Sequence, residues 1–298
     1  MDAPFDWSAA FEAERDYLFG VAYRMLGSAA EADDVLQDAW IRVQASDEVP
    51  RSARAYLTTV VTRLSIDALT SARARRETYV GPWLPEPILA PAVDAPRPAD
   101  DRIDLTESLG TALLLVLESL SPLERAAFLL REVFEYEYAE LAVVLGRSEA
   151  ACRQLHHRAK DRVLASRPRF AASPEEVERM LLAFVQAATA GDARELEQLL
   201  ADDVVATTDG GGRVRAARNV VAGKDHVARF VLGLAKKGAG GVEFRQIELN
   251  GAPALLAYKD GKLTQALWLE IDRDRIRAVC SVLNPDKLAR LESTLAAG

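Results

Sequence analysis

Six of the thirteen prolines in this 298-residue chain fall between residues 78 and 101: Pro82, Pro85, Pro87, Pro91, Pro96 and Pro98. Proline fixes φ and removes a backbone donor, so neither a helix nor an inner strand runs through such a stretch. A linker is expected over 78–104, and the chain on either side must fold separately. At about twice the usual domain length, two or three domains are the expectation. Trp83, Leu84, Ile88 and Leu89 are apolar, so part of the linker should dock on a surface.

The flanking blocks differ in periodicity. Before the linker, Phe11, Tyr17, Leu18, Val21, Ala22, Met25 and Leu26 recur at helical spacing, and Gly27 supplies a stop. Ser28-Ala29-Ala30-Glu31 has the form of a capping box before Ala32, Val35, Leu36, Ala39, Trp40 and Val43. A long helix is expected from about Ala53 to Arg76. Residues 102–166 read as helical again, with Ser121-Pro122-Leu123-Glu124 as a helix start. Ser173-Pro174-Glu175-Glu176 repeats that start and opens a last block of different character. There, helices near 174–190 and 192–201 lead into strand-like segments at 204–208, 214–217, 242–250, 254–258, 263–271 and 275–283. A helix near 223–235 interrupts them. Lys259-Asp260-Gly261-Lys262 and Asp272-Arg273-Asp274-Arg275 read as hairpin turns. The expected architecture is two all-α domains followed by an α+β cone.

The net charge of −8 argues at first against nucleic acid. Its distribution reverses that argument. From 147 to 169 the basic residues are Arg147, Arg153, Arg158, Lys160, Arg162, Arg167 and Arg169, against only Glu149 and Asp161. Arg73, Arg75 and Arg76 form a second basic cluster. No apolar run approaches the ~20 residues that cross a bilayer, and the acidic start lacks the basic residues of a signal peptide, so a cytoplasmic protein without membrane partners is expected. Cys152 and Cys280 lie far apart and outside any CxxC pair. Neither a metal site, a cofactor nor a disulfide framework is expected.

The basic stretch has the form of a helix-turn-helix. Tyr138 to Leu145 is a short amphipathic segment, Gly146 can adopt the left-handed conformation that ends it, and Ser148 can cap the next helix. That helix puts Cys152, Leu155, Ala159 and Val163 on one face and Ala150, Arg153, Gln154, His157 and Asp161 on the other. Arg and Gln offer paired hydrogen bonds to guanine and adenine edges, and Arg147, Arg158 and Lys160 suit phosphates. His156 borders the buried stripe and reads as structural.

Taken together, the helical blocks resemble a known family. Asp33 to Val43 resembles the polymerase-clamp-binding helix of extracytoplasmic-function (ECF) sigma factors. Ala55 to Leu69 resembles the following helix, which recognises the −10 promoter element. Leu120 to Arg125 with Tyr138 to Val163 is similar to the family's C-terminal DNA-binding domain. Trp83-Leu84-Pro85-Glu86-Pro87, Asp209-Gly210-Gly211-Gly212-Arg213 and Asn284-Pro285-Asp286-Lys287-Leu288 narrow the resemblance to the subgroup with a fused SnoaL-like (NTF2-like) C-terminal domain. That subgroup usually has lysine where Arg213 stands, and arginine's planar fork differs from a point-charge ammonium.

The resemblance implies a region-two domain over 8–77 and a region-four domain over 105–166. It implies a SnoaL-like regulatory domain over 173–298. Asp34, Gln37, Asp38 and Arg42 would bind the β′ clamp of core RNA polymerase. Arg54, Tyr56, Arg63, Arg73 and Arg76 would contact the −10 element of promoter DNA, core packing being the other reading of Tyr56. Arg147, Ser148, Ala150, Arg153, Gln154, His157, Arg158 and Lys160 would serve the −35 element. The three subgroup motifs would form regulatory contacts.

SnoaL-like cones can hold a small molecule, and some relatives are enzymes. Catalysis would need an acid/base pair in an apolar pocket. Asp209 is the obvious carboxylate, yet its three glycines read first as a turn, and the block's only histidine is His226. An in-cis regulator without enzymatic activity is the preferred expectation. A ligand-sensing helix-turn-helix repressor or activator is the first alternative, although it leaves 10–77 unexplained. A SnoaL-like isomerase or cyclase carrying a DNA-binding segment is the second.

Overall fold

The computed structural model describes residues 5–46, 49–76, 79–89, 111–166, 172–238 and 241–297. They form two compact units. One holds the N-terminal and middle helices, and the other joins the segment 79–89 to the C-terminal residues.

In the first unit, α1 (Trp7–Leu26) starts where the Asp6 side chain accepts from the Ala9 amide, and ends at Gly27 with φ 68°. Ser28 caps α2 (Ala29–Gln44), whose buried stripe is Ala29, Ala32, Val35, Leu36, Ala39 and Val43. The long α3 (Ala53–Arg76) buries Leu57, Val61 and Leu69. Its buried Thr58 and Ser65 hydroxyls donate to carbonyls four residues back, which makes them tolerable inside the core. After α4 (Thr111–Leu117) comes α5 (Pro122–Glu132), where Ser121 and Glu124 form the reciprocal capping box. The helix-turn-helix is α6 (Tyr138–Leu145) and α7 (Glu149–Ser166). Gly146 takes φ 61° between them, and the Ser148 hydroxyl accepts from the Ala151 amide. Cys152, Ala159 and Val163 are buried as the pattern requires.

In the second unit, α8 (Pro174–Ala190) and α9 (Ala193–Leu199) precede β1 (Leu200–Asp209), β2 (Val221–Ala222) and α10 (Lys224–Gly238). The chain then forms the meander β3 (Val242–Leu249), β4 (Ala252–Lys259), β5 (Lys262–Asp272) and β6 (Arg275–Val282), and closes with α11 (Pro285–Ala297). The sheet order is β2-β1-β6-β5-β4-β3, with only the β1–β6 pair parallel. Three register shifts, on β1, β4 and β5, bend the sheet. Its core packs Met180, Leu181 and Phe184 of α8 with Leu255, Leu267, Leu269 and Val279. Each such side chain contributes about 1.5–3 kcal/mol through burial. This is the expected helices-then-sheet order of a SnoaL-like domain.

The expected strand at 214–217 is absent. Gly211 and Gly212 take φ 57° and 71°, and the Arg213 amide closes a turn on the Gly210 carbonyl. The chain therefore folds back, and Ala217 donates to the Thr208 hydroxyl instead of joining a ladder. The short β2 and the helix α11 were not anticipated. Among the described residues, no helix is long and apolar enough to cross a membrane.

Candidate nucleic-acid interface and linker hub

The outward face of α7 carries exposed Ala150, Arg153, Gln154, His157 and Arg158, preceded by exposed Arg147 and Ser148, with Lys160 half-buried. The buried stripe fixes the helix, so this face is free for the outside. Several of its cations are also tied inward. Arg158 and Arg162 both pair with Glu124 at 3.0 Å, and Lys160 pairs with Glu132 at 3.0 Å. Burial opposes ionisation of Glu124, but the Ser121 hydroxyl and amide and the two arginines outweigh it and hold its pKa at about 2. The His156 hydrogen bond, followed by Lys160 and against burial, holds Glu132 at about 2. Sequence reasoning treats Arg158 and Lys160 as phosphate ligands only. Each also anchors α7 to α5 and keeps donors to spare. Arg153 bonds Glu149 at 2.9 Å, and His157 bonds Asp161 at 3.1 Å.

On α2, Asp34, Gln37, Asp38 and Arg42 are all exposed. Their spacing puts them on one face with Ile41, which is 59% exposed and thus open to an apolar contact.

The −10 candidates are dispersed. Arg54 pairs with Glu14 at 2.7 Å and sits over the Tyr17 ring. Tyr56 is half-buried, its ring 5.2 Å from that of Trp7, so one side of it packs while the rest stays accessible. Arg63 donates to Val144 O at 2.9 Å and Val143 O at 2.8 Å, capping the C-terminal end of α6. Arg125 of α5, 3% exposed, answers it by donating to Met25 O at the end of α1. Arg73 and Arg76 lie on α3, but their side chains fall outside the described residues.

The three subgroup motifs converge. The Asp209 carboxylate is fully buried. It accepts from the Tyr79 hydroxyl at 2.5 Å, Leu84 N–H at 2.9 Å, Gly211 N–H at 3.1 Å and Lys287 Nζ at 2.8 Å. Lys287 also donates to the Leu84 carbonyl. Its ammonium lies 4.2 Å from the Trp83 ring centre and 5.4 Å from that of Tyr79, so aromatic faces stand beside it. The Asn284 amide donates to the Tyr79 hydroxyl, whose pKa is raised by burial and by Asp209. Leu84, Pro85, Glu86, Pro87 and Ile88 are buried. Asn250 exchanges hydrogen bonds with the Ile88 backbone, accepting on its side chain and donating from its amide. The glycines permit close approach. A Cβ on Gly211 would stand 2.2 Å from Asn284 Nδ2, and one on Gly210 would stand 2.7 Å from the Ala216 Cβ. Arg213 pairs with Asp286 on the surface at 3.0 Å, while Leu288 is buried and Pro285 exposed. Glu86, one of the candidates, is buried here at 4% exposed. Asn250 and Tyr79 were not among the candidates, and no local pattern marks either.

Asp209 pairs across to Val282 and points opposite to its neighbour Thr208 and to Ala206, which belongs to the α8 core. It thus faces the linker and not an apolar pocket. His226 is exposed on α10. An open cleft of about 320 Å³ lies at the rim, lined by Glu176, Arg179, Met180, Ile271, Arg273 and Asp274 among others.

Comparison with known proteins gives two family matches, Sigma-70 region 2 over residues 10–75 and Sigma-70, region 4 over residues 111–163. The chain is similar to the ECF RNA polymerase sigma factor SigJ of Mycobacterium tuberculosis, 40% identical over 287 residues, covering 93% of this chain and 91% of that one. It is also similar to the probable ECF RNA polymerase sigma factor SigI of that organism, 32% identical over 295 residues, covering 98% of each. The crystal structure of SigJ superposes with a TM-score of 0.71 at 34% identity, covering 94% of this chain and 98% of that one.

Proposed function

Because the chain belongs to the ECF RNA polymerase sigma factors, we propose that promoter-directed transcription initiation is divided among the surfaces just described and governed in cis by the C-terminal domain. As a sigma factor it binds core RNA polymerase and promoter DNA. The exposed α2 face of Asp34, Gln37, Asp38 and Arg42 meets the polymerase clamp. Arg54, Tyr56, Arg63, Arg73 and Arg76 serve the −10 element, and α3 must part from α6 before Arg63 can do so. Arg153, Gln154 and His157 read −35 base edges from α7, next to Ser148 and Ala150, while Arg147, Arg158 and Lys160 take phosphates. The protein works in the cytoplasm, where its polymerase is.

The observation behind cis regulation is the Asp209–Lys287 hub, which binds the linker backbone at both Leu84 N–H and Leu84 O. A linker so held has its path fixed by the C-terminal domain. The domain acts as a regulator and not as an enzyme, because its obvious carboxylate is engaged by the linker. The open rim cleft supports a small molecule in the cone. The test is transcription with purified core polymerase, comparing the full chain with a chain ending near residue 166. Regulation predicts a changed dose-response on truncation. Equal activity at every dose would sink it.

A further inference from the structure

His156 lies on the inward side of α7, and neither the buried stripe nor the DNA-facing stripe uses it. It is 7% exposed, and both ring nitrogens are engaged. Nδ1 lies 2.9 Å from the Tyr138 hydroxyl at the start of α6, and Nε2 lies 2.7 Å from Glu132 Oε1 at the end of α5. The imidazole also stacks near Phe128 of α5 at 6.5 Å and 26°. One side chain on α7 therefore joins it to both α5 and α6 of the DNA-binding domain.

Both of its polar partners lead on to cations of α7. The Tyr138 ring lies 5.0 Å from the Arg153 guanidinium carbon and 4.9 Å from that of Arg131, which bonds Tyr136 O and Glu137. The Glu132 oxygen that meets His156 also accepts from Lys160. A continuous chain of contacts thus runs Arg153, Tyr138, His156, Glu132, Lys160. Its two ends are a base-reading candidate and a phosphate-binding candidate.

We propose that His156 is a positioning residue for promoter recognition: by bridging Tyr138 and Glu132 it sets where Arg153 and Lys160 stand on the DNA face of α7. Without the bridge the Tyr138 hydroxyl loses its imidazole partner and the ring is free to tilt, so the platform beneath Arg153 moves. Glu132 keeps Lys160 but loses the bond that orients its carboxylate. Recognition then blurs although the hydrophobic stripe of α7 is intact. Pre-organised donors carry base discrimination, so the effect belongs to specificity more than to stability.

The inference rests on the reading of Arg153 as a −35 contact. Holoenzyme reconstituted from core polymerase and the full chain is given a promoter library randomised over the −35 element. His156→Phe keeps a ring beside Phe128 but removes both hydrogen bonds. It should lower discrimination by roughly tenfold at the bases that Arg153→Ala also affects. His156→Gln, which can still donate and accept, should restore much of it. In the His156→Phe/Arg153→Ala double variant the losses should not add, because both act through one contact. Tyr138→Phe, which removes only the hydroxyl, should reproduce part of the blur and serves should the histidine variants fail to fold. Base preferences unchanged in His156→Phe or Tyr138→Phe, or losses fully additive with Arg153→Ala, would overturn the proposal alone. An Arg153→Ala holoenzyme with unaltered preferences would overturn the recognition reading and this inference with it.

Discussion

Asp209 in the C-terminal domain and Glu124 in the DNA-binding domain each gather several donors, in opposite surroundings. Asp209 is fully buried, and its cation, Lys287, has a side chain only 10% exposed. Its other donors are a phenol and two backbone amides. Glu124 is 7% exposed, but its cations Arg158 and Arg162 are 55% and 52% exposed. The first arrangement traps a charge pair away from water with aromatic rings around it. The second fastens one helix to another while its arginines stay half in solvent. Breaking a buried pair strands a charge, whereas a wet pair exchanges one partner for water. The linker hub is therefore built to hold, and the α7 anchors are built to aim.

Lys287→Met breaks the comparison at its strongest point. It leaves the Asp209 carboxylate buried without its cation, and should destabilise the C-terminal domain by about 3–5 kcal/mol. Denaturant unfolding measures the loss, and limited proteolysis should open the linker between residues 79 and 89. Adding Asp209→Asn should recover part of the stability, because the stranded charge is gone. A loss of under about 1 kcal/mol in Lys287→Met would mean that the pair behaves as a surface one.

Much of the fold was legible in the chain because its signals are local. Asp6, Ser28, Ser121, Ser148 and Ser173 each cap the helix that follows, and Gly27, Gly146 and Gly191 end helices in the left-handed conformation. Asp260-Gly261 turns with positive φ at both residues. The failures have physical reasons. Val214 to Ala217 has strand-like composition, but the two left-handed glycines before it turn the chain away from a partner. Helix α11 had a start signal in Asn284, whose side chain accepts from the Asp286 amide just before Pro285 opens the helix. That cap sits inside the Asn284–Leu288 contact motif, so the two signals overlap. The hub itself joins residues 78 and 203 positions apart, and no periodicity reports such a pairing. His156 was legible as buried, but its partner Glu132 lies 24 residues away on another helix.

Acid sharpens the comparison on the other side. Glu124 and Glu132 have folded-state pKa values near 2, below the ordinary 4.5. A carboxylate with a depressed folded pKa stabilises fully above its unfolded value and loses that contribution as pH falls through the folded one. The DNA-binding domain should therefore weaken progressively from about pH 4.5 down to about pH 2. Solvent around Arg158 and Arg162 at Glu124, and around Lys160 at Glu132, trims the contribution to about 1–2 kcal/mol per carboxylate. Acid titration of the helical signal checks it, and Glu132→Gln should flatten the curve within that window. An unaltered slope in Glu132→Gln would remove Glu132 from the account.

The smallest effect concerns Arg213. Its single bond to Asp286 joins side chains 64% and 62% exposed, and only Nε donates. A planar fork matters when two donors meet one carboxylate, and that geometry is absent here. Arg213→Lys should thus change stability by less than about 0.5 kcal/mol and leave linker proteolysis as it is. Gly211, two residues earlier, holds the opposite kind of position, since any Cβ there meets Asn284. The turn backbone and the buried pair, not the surface charge that follows them, hold the motif in shape. An effect of Arg213→Lys comparable with that of Lys287→Met would reverse this ranking and give arginine's extra donors a role at a further partner.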